Sequence, residues 1–101
     1  MARRTRKPKP AVFKLHVALQ EVEPQVWRRL LVRSDVSLGE LHHALNEVMG
    51  WEDSHLHQFV LQGRSYGPPD LDEEGDLADE DAFSLDKLVE EGDRFIYEYD
   101  F

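Results

Sequence analysis

The stretch from Ser37 to Gly50 is the feature that most limits how this chain can fold. Ser37 followed three residues later by Glu40 is a capping box, in which each residue satisfies a backbone N–H of the other. Val36 and Leu41 flank the cap as a hydrophobic staple. Leu38, Leu41, Leu45, Val48 and Met49 then recur at helical spacing, and Gly50 supplies the stop. One amphipathic helix is specified, with a single apolar stripe that needs something to lie on.

On both sides of that helix the pattern changes to alternation, the signature of half-buried strands. In Val12–Gln20, Phe13, Leu15, Val17 and Leu19 point one way and Lys14, His16, Ala18 and Gln20 the other. Val26–Arg33 reads as a second strand, antiparallel to the first, with Pro24 in the connection. Its phase is open: Leu30 and Val32 share a side with Arg28, while Trp27 and Leu31 share the other with Arg29. His55–Gln62 is a third strand, with His55, His57, Phe59 and Leu61 on one face. Arg64–Tyr66 is a short fourth, and Arg94–Phe101 a last strand with an aromatic face of Phe95, Tyr97, Tyr99 and Phe101. Before it, Ser84 caps a short helix stapled by Phe83 and Leu88 and ending at Gly92.

The expected fold class is therefore α+β: a mixed sheet of about four to five strands with one main helix packed on one face. The order ββα-β-short helix-β is β-grasp-like and predicts the last strand parallel beside the first. A length of 101 residues accommodates one domain, assigned to 11–101. Residues 1–10 read as a disordered basic tail, with two prolines and no apolar periodicity.

Charge divides along the same boundary. The tail carries five cations and no acid, whereas from Ala11 onward there are 7 basic and 21 acidic residues. An acidic body repels a phosphate backbone, so nucleic acid is expected to meet this chain through the tail if at all. There is no cysteine, which removes disulfides, thiolate metal sites and a Cys nucleophile. No apolar run reaches bilayer length and none follows the basic start as a signal peptide, so no membrane is expected and the cytoplasm is the expected location.

Three constellations offer chemistry. His55 and His57 project from one strand face, and His42 lies within the apolar stripe of the helix. Packed together, His42, His55 and His57 would form an open three-imidazole metal site. The plainer role for His57, in phase with Phe59 and Leu61, is a core-edge imidazole bonded to an acid such as Asp53. Asp70–Asp81 holds eight acids in twelve residues and approaches an EF-hand loop, with Asp70, Asp72, Glu74 and Asp81 as the calcium candidates. Asp81 is a short substitute for the usual glutamate and no helix enters the loop, so a solvated acidic loop is the ordinary alternative. Trp27, Arg28 and Arg29 form an aromatic–arginine element suited to carboxylate or phosphate. There is no phosphate loop, no Ser/His/Asp signature and no cofactor motif, and no cofactor is expected.

Several segments together resemble the plasmid pRiA4b ORF-3-like family. They are Pro24-Gln25-Val26-Trp27-Arg28-Arg29, the helix Leu38–Met49, Gly50-Trp51, Ser54-His55-Leu56-His57-Gln58-Phe59, Gly63-Arg64-x-Tyr66-Gly67 and Gly92-Asp93-Arg94-Phe95-x-Tyr97-Glu98-Tyr99-Asp100-Phe101. The resemblance implies an α+β fold and an association with plasmids and mobile elements, without an established activity. Family members usually continue past the Tyr-Asp-Phe with a Gly-Asp-x-Trp segment, so the chain is expected to be a short or truncated form. An aromatic strand ending there implies an apolar edge and a homodimer through it. The functional expectation is a protein-interaction or accessory module binding through Trp27, Arg28, Arg29, Trp51, His55 and His57. The alternative is a metal- or nucleic-acid-associated protein using the histidines or the tail.

Overall fold

The computed structural model describes residues 11–52, 56–68 and 77–99. Strands β1 (Val12–Ala18) and β2 (Trp27–Arg33) form an antiparallel ribbon of their own. Its register sets Phe13 opposite Val32, Leu15 opposite Leu30 and Val17 opposite Arg28. Residues directly opposite share a face. Phe13, Leu15, Val17, Leu30 and Val32 consequently turn inward onto the core. The phase left open by the sequence is settled: the other face presents Val12, Lys14, His16, Trp27, Arg29, Leu31 and Arg33 to solvent.

Helix α1 (Leu38–Met49) begins as its sequence dictates. The Glu40 N–H donates to Ser37 Oγ at 3.0 Å, and the Ser37 N–H donates to Glu40 Oε1 at 3.1 Å. Gly50 ends it in the left-handed conformation at φ 73°, which a side chain would resist. Its buried face holds Leu38, Leu41 and Leu45, and also His42 and Asn46.

Strands β3 (His57–Leu61), β4 (Arg64–Gly67), β5 (Ala78–Asp79) and β6 (Ile96–Tyr99) build a second, mixed sheet in the order β5-β4-β3-β6. The β3–β4 hairpin closes through Gln62 and Gly63, both at positive φ, the pattern of a tight two-residue turn. β3 alternates as expected, burying His57, Phe59 and Leu61. Phe59, Leu38, Leu41 and Leu85 are completely enclosed at the centre of one hydrophobic cluster. Each contributes about 1.5–3 kcal/mol through removal from water.

The α+β class and a mixed sheet with one main helix match the sequence reading, but three details differ. β1 and β2 stay apart as a two-stranded sheet instead of joining the mixed one. β6 does not run parallel beside β1; it pairs antiparallel with β3, with Tyr97 opposite Phe59 and Tyr99 opposite His57. The reason is polar. The Tyr97 hydroxyl needs a partner when half-buried, and beside β3 it meets His42 and Asn46 of α1. The helix expected after Ser84 is reduced to a 3-10 turn over Leu85–Lys87. Ser84 Oγ donates to Asp86 at 2.6 Å rather than capping a helix. The segment is instead tied edgewise to residues 34–38, through Leu85 N–H to Val36 O and Leu38 N–H to Phe83 O. Leu85 thereby reaches the core without a helix that would be too short to stand alone.

Candidate functional site

Two groups of side chains stand out, one enclosed and one exposed. The enclosed group begins with His42 on α1 and His57 on β3. Their rings stack at 3.5 Å between centroids and 9° between planes. His57 Nε2 donates to Glu80 Oε1 at 2.7 Å, and both side chains are buried. On the other ring, His42 Nδ1 lies 2.6 Å from Tyr97 Oη. Asn46 Nδ2 donates to Tyr97 Oη at 2.9 Å and to the His42 carbonyl at 2.7 Å. Asn46 Nδ2 also lies 3.2 Å from His42 Nδ1, so the amide, the imidazole and the phenol form one hydrogen-bonded group. The cluster therefore links α1, β3, β6 and the turn at Glu80–Ala82 through directional bonds inside the core.

The exposed group is the outer face of the β1–β2 ribbon. Trp27 is 45% exposed, Leu31 61% and Val12 63%. The His16 ring stacks on Trp27 at 5.0 Å, and the Arg29 guanidinium lies 6.0 Å from the same ring centroid. Arg33 forms a two-point bridge to Asp35 at 3.0 and 3.1 Å. Lys14 and Arg29 make no ion pair among the described residues. No aspartate or glutamate occurs in either strand.

The sequence profile of the family "Plasmid pRiA4b ORF-3-like protein" matches residues 11–101. The chain belongs to this family. It is 39% identical over 93 residues to a protein of Sinorhizobium fredii described as "Uncharacterized protein y4hQ", a match covering 90% of this chain and 48% of that protein. The crystal structure of a protein of unknown function, MM3350 from Methanosarcina mazei Go1, superposes with a TM-score of 0.82 at 31% identity. That match covers 95% of this chain and 56% of the archaeal one. This pRiA4b ORF-3-like chain thus spans about half the length of the relatives it matches.

Within this family member the residues singled out from sequence fall into separate neighbourhoods. Trp27 and Arg29 lie on the outer face of the ribbon; Arg28 is on the opposite face, donating Nη1–H to the Trp27 carbonyl at 2.8 Å. His57 is only 8% exposed, and its contacts are those of the enclosed cluster. Trp51 stacks flat on Tyr99 at 4.9 Å, at the end of β6 nearest His57. His42 and His57 do meet, but as parallel rings whose bonds run to Tyr97 and Glu80. In-plane lone pairs of stacked rings do not converge on one ion, and no three His, Asp or Glu side chains converge among the described residues. Nothing in this arrangement supports metal binding.

His55, Asp53, Asp70, Asp72, Glu74 and the tail 1–10 lie outside the described residues. Asp81 is described, and its carboxylate lies so close to Gly39 of α1 that a Cβ there would collide with it. Sequence reasoning missed Asn46, Glu80 and the polar role of Tyr97. Asn46 was detectable in principle, because it follows His42 by one helical turn and so had to share its buried face. β6 is an edge strand of its sheet with Ile96 45% exposed, while Phe95 and Tyr97 pack on the core. No helix among the described residues is long and apolar enough to cross a membrane.

Proposed function

We propose that this pRiA4b ORF-3-like chain is a cytoplasmic protein-interaction module, serving as an accessory factor of plasmids and mobile elements, and that it docks its partner on the outer face of the β1–β2 ribbon. One observation carries the reading: three large apolar side chains, Val12, Trp27 and Leu31, are exposed on one strand face that also carries Lys14, Arg29 and Arg33 and no acid. Apolar exposure of that kind within a polar surround is what interaction sites show. An aromatic beside an arginine is also the composition most often found to dominate binding energy.

The enclosed cluster has a different part in this reading. His42, His57, Glu80, Tyr97 and Asn46 hold the helix on the sheet and keep the scaffold rigid, so that the ribbon is presented in one orientation.

The test is affinity capture from a host cell with three tagged forms of the chain: wild type, Arg29→Ala, and a helix-surface control, Glu47→Ala. A protein retained by the wild type and the control but depleted about fivefold or more by Arg29→Ala, and rebinding when purified, establishes the module. Equal capture by all three forms removes the ribbon from consideration. A second reading has a specific observation of its own: the exposed Ile96 on the edge strand β6 suits a homodimer formed by edge pairing. Light scattering that shows a concentration-dependent dimer, lost in Ile96→Lys, supports it; a monomer at millimolar concentration ends it.

A further inference from the structure

We infer that the partner segment taken by the ribbon is a short acidic stretch of polypeptide in extended form, carrying large apolar residues between its carboxylates; the inference rests on the docking role proposed for that face. The charge layout is the first argument. From Ala11 onward the chain has 7 cations against 21 acids, yet β1 and β2 hold Lys14, Arg28, Arg29 and Arg33 and no acid at all. Of these four cations, Lys14, Arg29 and Arg33 lie on the outer face, Arg33 bridged to Asp35, and no carboxylate of either strand shares that face. Opposite potentials attract, and this face is the complement of an anionic partner.

The second argument is confinement. Each strand has seven residues, about 23 Å at the usual rise. Beyond one end lie Glu21 and Glu23 of the connection, both exposed, and beyond the other lies Asp35. The exposed carboxylates at the turn end repel an anion that overruns the ribbon there, while Asp35 at the other end is bridged by Arg33. The strand length sets the occupant's span on this face at roughly seven residues.

The third argument separates polypeptide from nucleic acid, the other polyanion. Base binding relies on flat aromatic faces. Here the His16 ring already covers a face of Trp27, and the remaining apolar members, Val12 and Leu31, are aliphatic and offer no plane for a base. Val12 on β1 and Leu31 on β2 are diagonal neighbours across the ribbon, an aliphatic surface that suits the side chains of an extended peptide. Lys14, directly opposite Leu31, and Arg29, two residues along β2 toward Trp27, make no ion pair among the described residues and are placed to take the carboxylates.

The experiment titrates the full chain with a nine-residue peptide alternating glutamate and leucine, followed by backbone amide shifts in NMR. A lysine–leucine peptide of the same pattern and a nine-nucleotide oligothymidylate are run beside it. Expected are saturable shifts confined to β1 and β2, and binding weakened about tenfold or more in Arg29→Glu and in Lys14→Glu, with the thermal melt of each variant retained. The five cations among residues 1–10 would attract the same peptide without regard to Arg29, so insensitivity to Arg29→Glu overturns the assignment. If the lysine–leucine peptide takes the ribbon, docking stands and the acidic chemistry falls. If only the oligothymidylate shifts ribbon amides, nucleic acid replaces polypeptide as the occupant. Ribbon shifts on raising protein concentration alone would make a second copy the occupant. No ribbon shift under any condition overturns both this inference and the docking role beneath it.

Discussion

His16 on Trp27 and His42 on His57 are both ring stacks, and the contrast between them separates two regions of the molecule. The first lies on the solvent face of the ribbon at 5.0 Å, and water satisfies whatever the imidazole nitrogens require. The second is closed in at 3.5 Å between helix and sheet, where water is excluded and hydrogen bonds lead from the rings to Tyr97, Asn46 and Glu80. A buried polar atom left without a partner is costly, so the enclosed stack recruits a network that fixes how α1 lies on β3 and β6. The exposed stack recruits nothing and stays available to another molecule. The same residue type therefore specifies the fold in one region and composes a surface in the other.

The comparison is broken or sharpened most by large changes in the enclosed region. Phe59 is fully buried between Tyr97, Phe95 and the leucines of α1. Phe59→Ala should cost about 3–5 kcal/mol in urea unfolding, enough to unfold a small domain of ordinary stability. Removal of Glu80 comes next. Glu80→Ala leaves the His57 Nε2–H buried without its acceptor and should cost about 1–3 kcal/mol, while Glu80→Gln keeps an acceptor in place and should recover most of that. Equal losses in the two variants would mean that the bond to His57 contributes little and that Glu80 acts by filling space.

Legibility from sequence followed the same divide. Period and capping wrote out α1 and the inward faces of β1 and β3, because each depends on residues a few positions apart. The phase of β2 was undecided, since Trp27 and Leu31 give its outer face as much apolar character as Leu30 and Val32 give the inner one. The position of β6 was not legible: it depends on the Tyr97 hydroxyl finding Asn46 and His42, which are distant in sequence. Glu80 was hidden among eight acids in the stretch 70–81, where no local pattern marks it as a residue that turns inward. At the candidate surface, Trp27 and Arg29 were named together and do share a face, whereas alternation alone had already put Arg28 on the other.

Tyr97→Phe tests whether the network or the ring matters in β6. The ring packs on Phe59 at 4.8 Å and is retained, so the expected loss of about 1–2 kcal/mol reports the hydroxyl's bonds to His42 and Asn46. A neutral result would place β6 by aromatic packing alone and weaken the account of why it pairs with β3.

The smallest effect decides the other half of the comparison. Leu31 is 61% exposed, on the face opposite the core-packed Leu30 and Val32. A serine there removes apolar surface that solvent already touches, and Leu31→Ser should change stability by no more than about 0.5 kcal/mol. Leu30→Ser, one residue away and turned inward, should cost clearly more, because it exchanges a core contact for a hydroxyl. The pair of melts is a direct reading of which way each side of β2 faces. If Leu31→Ser proves as damaging as Leu30→Ser, the outer face is covered in solution, and the apolar residues assigned to a partner are already in use by the chain itself or by a second copy. If it is silent in the melt yet lowers binding of the glutamate–leucine peptide, the ribbon's outer face holds side chains whose contribution is made only in a complex.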